Sequence, residues 1–139
     1  MSEPEWLSRT IILDIHAEQL VLFGGADGVR DIGLLDSALG RPLNKFGYGE
    51  ARLAMLAAAY AFGIARNHPF VDGNKRTALA SIFVFLGLNK AEFVPSPEEA
   101  TASIVSLAAG EISEDDLAHW IERNIRTPPI ACESDRPDA

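Results

Sequence analysis

The stretch His68-Pro69-Phe70-Val71-Asp72-Gly73-Asn74-Lys75-Arg76-Thr77-Ala78 gathers an imidazole, a carboxylate, an amide and two cations in one short segment. His68 is suited to take a proton from a hydroxyl nucleophile. Asp72 is suited to a hard divalent cation that bridges phosphate oxygens, most naturally Mg²⁺ with several waters retained. Gly73 allows close approach of the backbone, and Asn74 can offer its amide to a phosphate oxygen. Lys75 and Arg76 fall in the first turn of the apolar run that follows, where cations oppose the positive helix end. A bound phosphate removes that conflict, because a helix start with unpaired N–H groups is a ready anion site. Pro69 and Phe70 read as structural, with Phe70 pinning the loop into the core. Taken singly these residues are ordinary, since Asp-Gly-Asn is common turn chemistry. Their convergence at a buried helix start points to chemistry.

Two helices must position this loop. Before it, Glu50 to Arg66 is an Ala-rich helical pattern with bulk from Leu53, Leu56, Tyr60 and Ile64. Gly63 costs such a helix about 1 kcal/mol relative to Ala, which predicts a close packing contact there. After the loop, a helix starting near Gly73-Asn74 and running to about Leu88 is apolar on nearly every face, the pattern of a buried central helix.

The flanking chain supplies further helices. Ser8 caps a helix through about Phe23, stopped by Gly24-Gly25, and Asp31 caps a short one over Ile32 to Leu39, ended by Gly40-Arg41-Pro42. His16, inside the first, has no local partner and reads as a structural or surface histidine. Leu43-Asn44-Lys45-Phe46-Gly47-Tyr48-Gly49 has no helical period and reads as a plain loop or a small hairpin. A hairpin edge there could pair with an extended peptide. Glu92-Phe93-Val94 fits a very short strand. Ser96-Pro97-Glu98-Glu99 and Ser113-Glu114-Asp115-Asp116 are strong helix starts. His119, on the last helix, reads as a surface residue. The reading is one all-α domain over residues 1–127, of about six helices, with a polar, mobile tail over 128–139.

Composition sets the bounds. The 139 residues suit one domain with a real core, and 47% apolar content excludes disorder throughout. The longest apolar run is too short for a bilayer, and the N-terminus lacks the regions of a signal peptide. Cys132 is the single cysteine, so no disulfide framework is expected, and a cytoplasmic protein is the simplest reading. A net charge of −8 argues against direct nucleic-acid binding. It also means that any phosphate site must be built locally.

The central stretch resembles the signature of the Fic/Doc family, His-x-Phe-x-Asp/Glu-Gly-Asn-Gly-Arg-x-x-Arg, with His68, Phe70, Asp72, Gly73, Asn74 and Arg76 in place. The resemblance extends over about Ser8 to Ile125. The Gly24-Gly25 connector, the Arg41-Pro42 turn, the Asn67-His68-Pro69-Phe70 entry and the Ala109-Gly110-Glu111-Ile112-Ser113 turn look like death-on-curing (Doc) toxins. Lys75 stands where AMP-transferring members have a second Gly, and Leu79 where they have the last Arg. Both departures match the Doc branch, although Gly73 keeps the Gly-Asn pair of the AMP transferases.

The resemblance implies a compact helical bundle with a central buried helix and a short flap hairpin. It implies ATP as co-substrate, held in inverted orientation so that the γ-phosphate faces the attacking hydroxyl, and Mg²⁺. His68 would be the general base, Asp72 the metal ligand, and Gly73, Asn74, Lys75 and Arg76 the phosphate holders. Leu43, Asn44, Lys45, Phe46, Gly47 and Tyr48 would form the flap along which the target segment is aligned. The implied target is a translation elongation factor, phosphorylated on a threonine so that translation stops. The implied partner is a small antitoxin that covers the site. The alternatives are AMP transfer to a protein hydroxyl and a non-catalytic binding module on the same fold. The complete set of site residues argues against the last.

Overall fold

A computed structural model of the chain describes residues 3–126. The expected mobile tail lies outside the described residues. Six helices follow in order: α1 Arg9–Phe23, α2 Ile32–Gly47, α3 Leu53–Asn67, α4 Asn74–Leu88, α5 Pro97–Ala108 and α6 Glu114–Arg123. Two short strands, β1 Glu92–Phe93 and β2 Ile125–Arg126, pair antiparallel with Phe93 opposite Ile125. The expected all-α class is therefore what the chain adopts.

The helix starts are set by side-chain caps. The hydroxyls of Ser8, Ser96 and Ser113 and the carboxylate of Asp31 accept from the N–H groups of Ile11, Glu99, Asp116 and Leu34. Asp116 returns the bond to Ser113 and closes a capping box. Each satisfies one of the donors that a helix start leaves unpaired.

The central helix is α3, which corrects the expectation that α4 fills that place. Eleven of the fifteen residues of α3 are buried, against six of fifteen in α4. Alanines let α2, α4, α5 and α6 pack around α3 at close range, whereas α4 leaves Phe83 and Leu88 partly in solvent. A Cβ on Gly63 would lie 2.8 Å from both Cα and Cβ of Ala38 on α2. This is the close contact the sequence predicts.

A second correction concerns α2. It does not stop at Gly40-Arg41-Pro42 but runs on to Gly47, with Pro42 inside it. The predicted flap hairpin is therefore absent, and Leu43 to Gly47 are helical. Pro42 forfeits one backbone bond, but tertiary contacts hold the last turns. Arg41 pairs with Glu114 on α6 and lies over the Phe62 ring at 4.5 Å. Lys45 reaches Glu114 at 2.9 Å, and Phe46 meets Trp6 edge-on at 5.5 Å. Tyr48 then closes the helix with its N–H on the Asn44 carbonyl.

Among the described residues no helix is long and apolar enough to cross a membrane.

Candidate active site

The motif loop leaves α3 at His68, which sits in the left-handed region at φ 52°, ψ 56°. Such a conformation costs a non-glycine residue roughly 1–2 kcal/mol, so something must hold it. Arg30, in the connector between α1 and α2, does so. Its Nε donates to the His68 carbonyl at 2.7 Å and a terminal nitrogen donates to the Asn67 carbonyl at 2.8 Å. The backbone N–H groups of Arg30 and Asp31 both donate to the Pro69 carbonyl, at 2.7 and 3.1 Å. The same connector pairs Val29 with Phe70 in an isolated antiparallel bridge, and the Val71 N–H donates to the Gly28 carbonyl at 3.0 Å. Phe70 is buried, as the sequence suggests, and the His68 side chain faces solvent.

The Asp72 carboxylate accepts from the Ala26 N–H at 3.2 Å through Oδ2 and from the Gly73 N–H at 2.8 Å through Oδ1. The hydrogen bond from Ala26 and then that from Gly73 hold its carboxyl below the usual carboxylate range, helped by the positive charge of Arg76. Asp72 is thus anionic and exposed to solvent. A single exposed carboxylate fits a cation that keeps most of its waters and takes further oxygens from phosphates. Among the described residues no group of three or more His, Cys, Asp or Glu side chains could enclose a metal by protein ligands alone.

At Gly73 the backbone takes φ 79° and caps α4 without a side-chain hydrogen bond. Gly73 therefore leaves the positive helix end open to a ligand, which is the arrangement that favours a bound anion. The first backbone bond of α4 runs from Thr77 to the Gly73 carbonyl. The N–H groups of Asn74, Lys75 and Arg76 precede it and face the helix start. His68, Val71, Asp72, Gly73, Asn74, Lys75 and Arg76 together line one polar cleft of about 190 Å³. The candidate base, carboxylate and cations thus meet in one place.

Asn74 is where the structure departs from the chemical expectation. Its Oδ1 accepts from the Phe70 N–H and its Nδ2 donates to the Phe70 carbonyl, both at 3.0 Å. The side-chain amide clamps the loop, and the group left to face an anion is the Asn74 backbone N–H. Arg76 is partly tied as well, with a 3.4 Å bond to the Gly24 carbonyl and its guanidinium 5.0 Å over the Phe23 ring.

The predicted flap residues lie elsewhere. Asn44, Lys45 and Tyr48, with Arg41 and Glu50, line an open cleft of about 390 Å³ that shares no residue with the cleft at the motif. Leu43 and Tyr48 are exposed, while Lys45 and Phe46 are engaged with Glu114 and Trp6.

Sequence reasoning missed three contributors. The Arg30 guanidinium and the Ala26 N–H of the Gly25-Ala26 turn reach the motif from a connector distant in sequence, and no local pattern marks them. His16 is a structural histidine as expected, but its partner, the Asp72 carbonyl at 2.8 Å, is remote in sequence.

The sequence profile described as the Fic/DOC family matches residues 6–86, which include the whole motif loop. The chain therefore belongs to the Fic/Doc family. It is 35% identical over 118 residues to "Protein kinase doc" of Escherichia phage P1, covering 84% of this chain and 93% of that protein. It is 46% identical over 88 residues to "Toxin Doc" of Mycolicibacterium smegmatis, covering 61% of this chain and 65% of that protein. Within the family these relatives set the chain in the Doc branch.

Proposed function

We propose that the chain is a Doc-like toxin that transfers the γ-phosphate of ATP to a hydroxyl of a target protein. The observation that carries this reading is the single cleft in which His68, Asp72 and the open start of α4 with Lys75 and Arg76 converge. His68 accepts the proton of the attacking hydroxyl. The hydroxyl oxygen forms a bond to the γ-phosphorus, the bond from that phosphorus to the bridging oxygen breaks, and ADP leaves. The N–H groups of Asn74, Lys75 and Arg76 and the two cationic side chains hold the phosphate oxygens and counter the charge that develops on them. Asp72 is the carboxylate that would hold Mg²⁺, which when bound supplies charge neutralisation on the phosphates.

Lys75 favours phosphoryl over adenylyl transfer. It adds a long cationic side chain where AMP-transferring members need a glycine, and so fills the space that holds part of their triphosphate. The names of the two relatives, a protein kinase and a toxin, support the same reading. By the same resemblance the target is a translation elongation factor modified on a threonine in the cytoplasm, and a small antitoxin covers the site. Leu43, Asn44, Gly47 and Tyr48, the exposed residues of the predicted flap segment, are the toxin's proposed contacts with the target.

The test is transfer from ATP labelled at either the α or the γ position to candidate translation factors. Label arriving from the γ position alone supports the proposal. Label arriving from the α position alone overturns it in favour of AMP transfer.

A further inference from the structure

His16, on α1, is a histidine that the transfer chemistry leaves unused. Its side chain is almost wholly buried, at 3% exposure. The imidazole lies flat against the Phe70 ring, with centroids 3.8 Å apart and planes 7° from parallel. Its Nε2 is 2.8 Å from the Asp72 carbonyl oxygen. A carbonyl can only accept, so Nε2 carries its proton and donates. The ring also backs the start of α4, since a Cβ on Gly73 would lie 3.6 Å from both Cδ2 and Nε2.

These contacts act on one peptide unit. The carbonyl of the Asp72–Gly73 peptide accepts a hydrogen bond from His16 Nε2, and its N–H donates to Oδ1 of Asp72 at 2.8 Å. Rotation of that peptide plane breaks both bonds together. The plane joins the site carboxylate to the first residue of the anion-binding helix end. Its tilt therefore sets where the carboxylate points and where the first free N–H groups of α4 point.

We infer that His16 is a positioning residue, which aims the Asp72 carboxylate and the α4 N-terminus at a shared metal–phosphate ligand through the Asp72–Gly73 peptide. The inference rests on the transferase reading of this cleft. It assigns a role to a side chain that touches neither metal nor nucleotide.

The test uses the full chain and two variants that separate the hydrogen bond from the stack. His16→Phe keeps an aromatic ring on Phe70 and loses the donor. His16→Gln keeps a donor and loses the ring. Free Mn²⁺ is followed by electron paramagnetic resonance during titration in the presence of ADP, so no transfer is needed for the readout. The Gly73 amide resonance is recorded on the same samples.

His16→Phe is expected to weaken Mn²⁺ binding by about tenfold or more, the scale seen when groups behind a metal ligand are removed, and to shift the Gly73 resonance. His16→Gln is expected to stay close to wild type in both. Wild-type affinity in His16→Phe, or an equal loss in both variants, overturns the inference. If His16→Phe does not fold, His16→Gln decides alone, and a tenfold loss in it is the overturning result. If the wild-type chain binds no Mn²⁺ with ADP, the transferase reading is what fails. The Gly73 resonance then still decides whether His16 sets the peptide, by whether it moves in His16→Phe and holds in His16→Gln.

Discussion

Replacing Asn74 by alanine separates two roles for the same side chain. If Asn74 is a clamp, as its geometry shows, the substitution removes the two bonds that bracket Phe70 at 3.0 Å each. A neutral hydrogen bond contributes roughly 0.5–1.5 kcal/mol net, so two are worth about 1–3 kcal/mol. Phe70 is 1% exposed, so its orphaned N–H and carbonyl regain water poorly, which favours the upper half of that range. Alanine returns up to about 0.5 kcal/mol through better helix propensity at the start of α4. The net expectation is a loss of about 1.5–3 kcal/mol. In a domain of this size that is a fall in Tm of roughly 5–12 °C. Thermal unfolding and urea unfolding of wild type and Asn74→Ala measure it, with phosphate transfer assayed in parallel. The clamp account expects stability and transfer to fall together. Unchanged stability with lost transfer would refute it and restore the Asn74 amide as a direct phosphate ligand.

Other outcomes follow from the same contacts. Gly63→Ala drives a Cβ into the Ala38 backbone at 2.8 Å and is expected to cost about 1–3 kcal/mol in urea unfolding. Gly25→Ala places a Cβ 2.8 Å from Oδ2 of Asp72 at φ +122°, so it should displace the carboxylate and lower metal-dependent transfer well beyond its effect on Tm. Tyr60 is buried with its hydroxyl accepting from the Leu7 N–H at 2.9 Å, and burial pushes its pKa up to about 12. The unfolded chain ionises near 10, so this contribution is intact below 10 and is lost as pH rises toward 12. Two units at 1.36 kcal/mol each give about 3 kcal/mol. Tyr60→Phe should abolish that alkaline loss in unfolding measured against pH, while costing roughly 1–3 kcal/mol at neutral pH through the unpaired Leu7 N–H.

Much of this molecule was legible because its signals are local. Ser8, Asp31, Ser96 and Ser113 announce helix starts within three or four residues, and the structure uses all four as caps. The motif stretch announces itself by the density of chemical groups at a helix start. What could not be read is carried by contacts distant in sequence. Pro42 is a strong local stop signal, yet Arg41, Lys45 and Phe46 find Glu114, Phe62 and Trp6 and carry the helix past it. Apolar density made α4 look central, but the small side chains of α3 are what let neighbours pack on every side. Asn74 advertised a free amide, and the return of the loop on itself consumed it. Arg30, Ala26 and His16 hold the motif from other elements, where a single sequence shows no pattern.

The central claim is that His68 and the α4 cradle move a phosphoryl group, and the mass of the modified target tests it most directly. Wild-type protein, ATP, Mg²⁺ and a purified elongation factor are incubated, and the factor is weighed by intact-mass spectrometry beside a reaction with His68→Ala. The account predicts the addition of one phosphoryl group, on a hydroxyl residue, with wild type and none with a folded His68→Ala. Addition of an AMP group, or undiminished phosphorylation by His68→Ala, would contradict it.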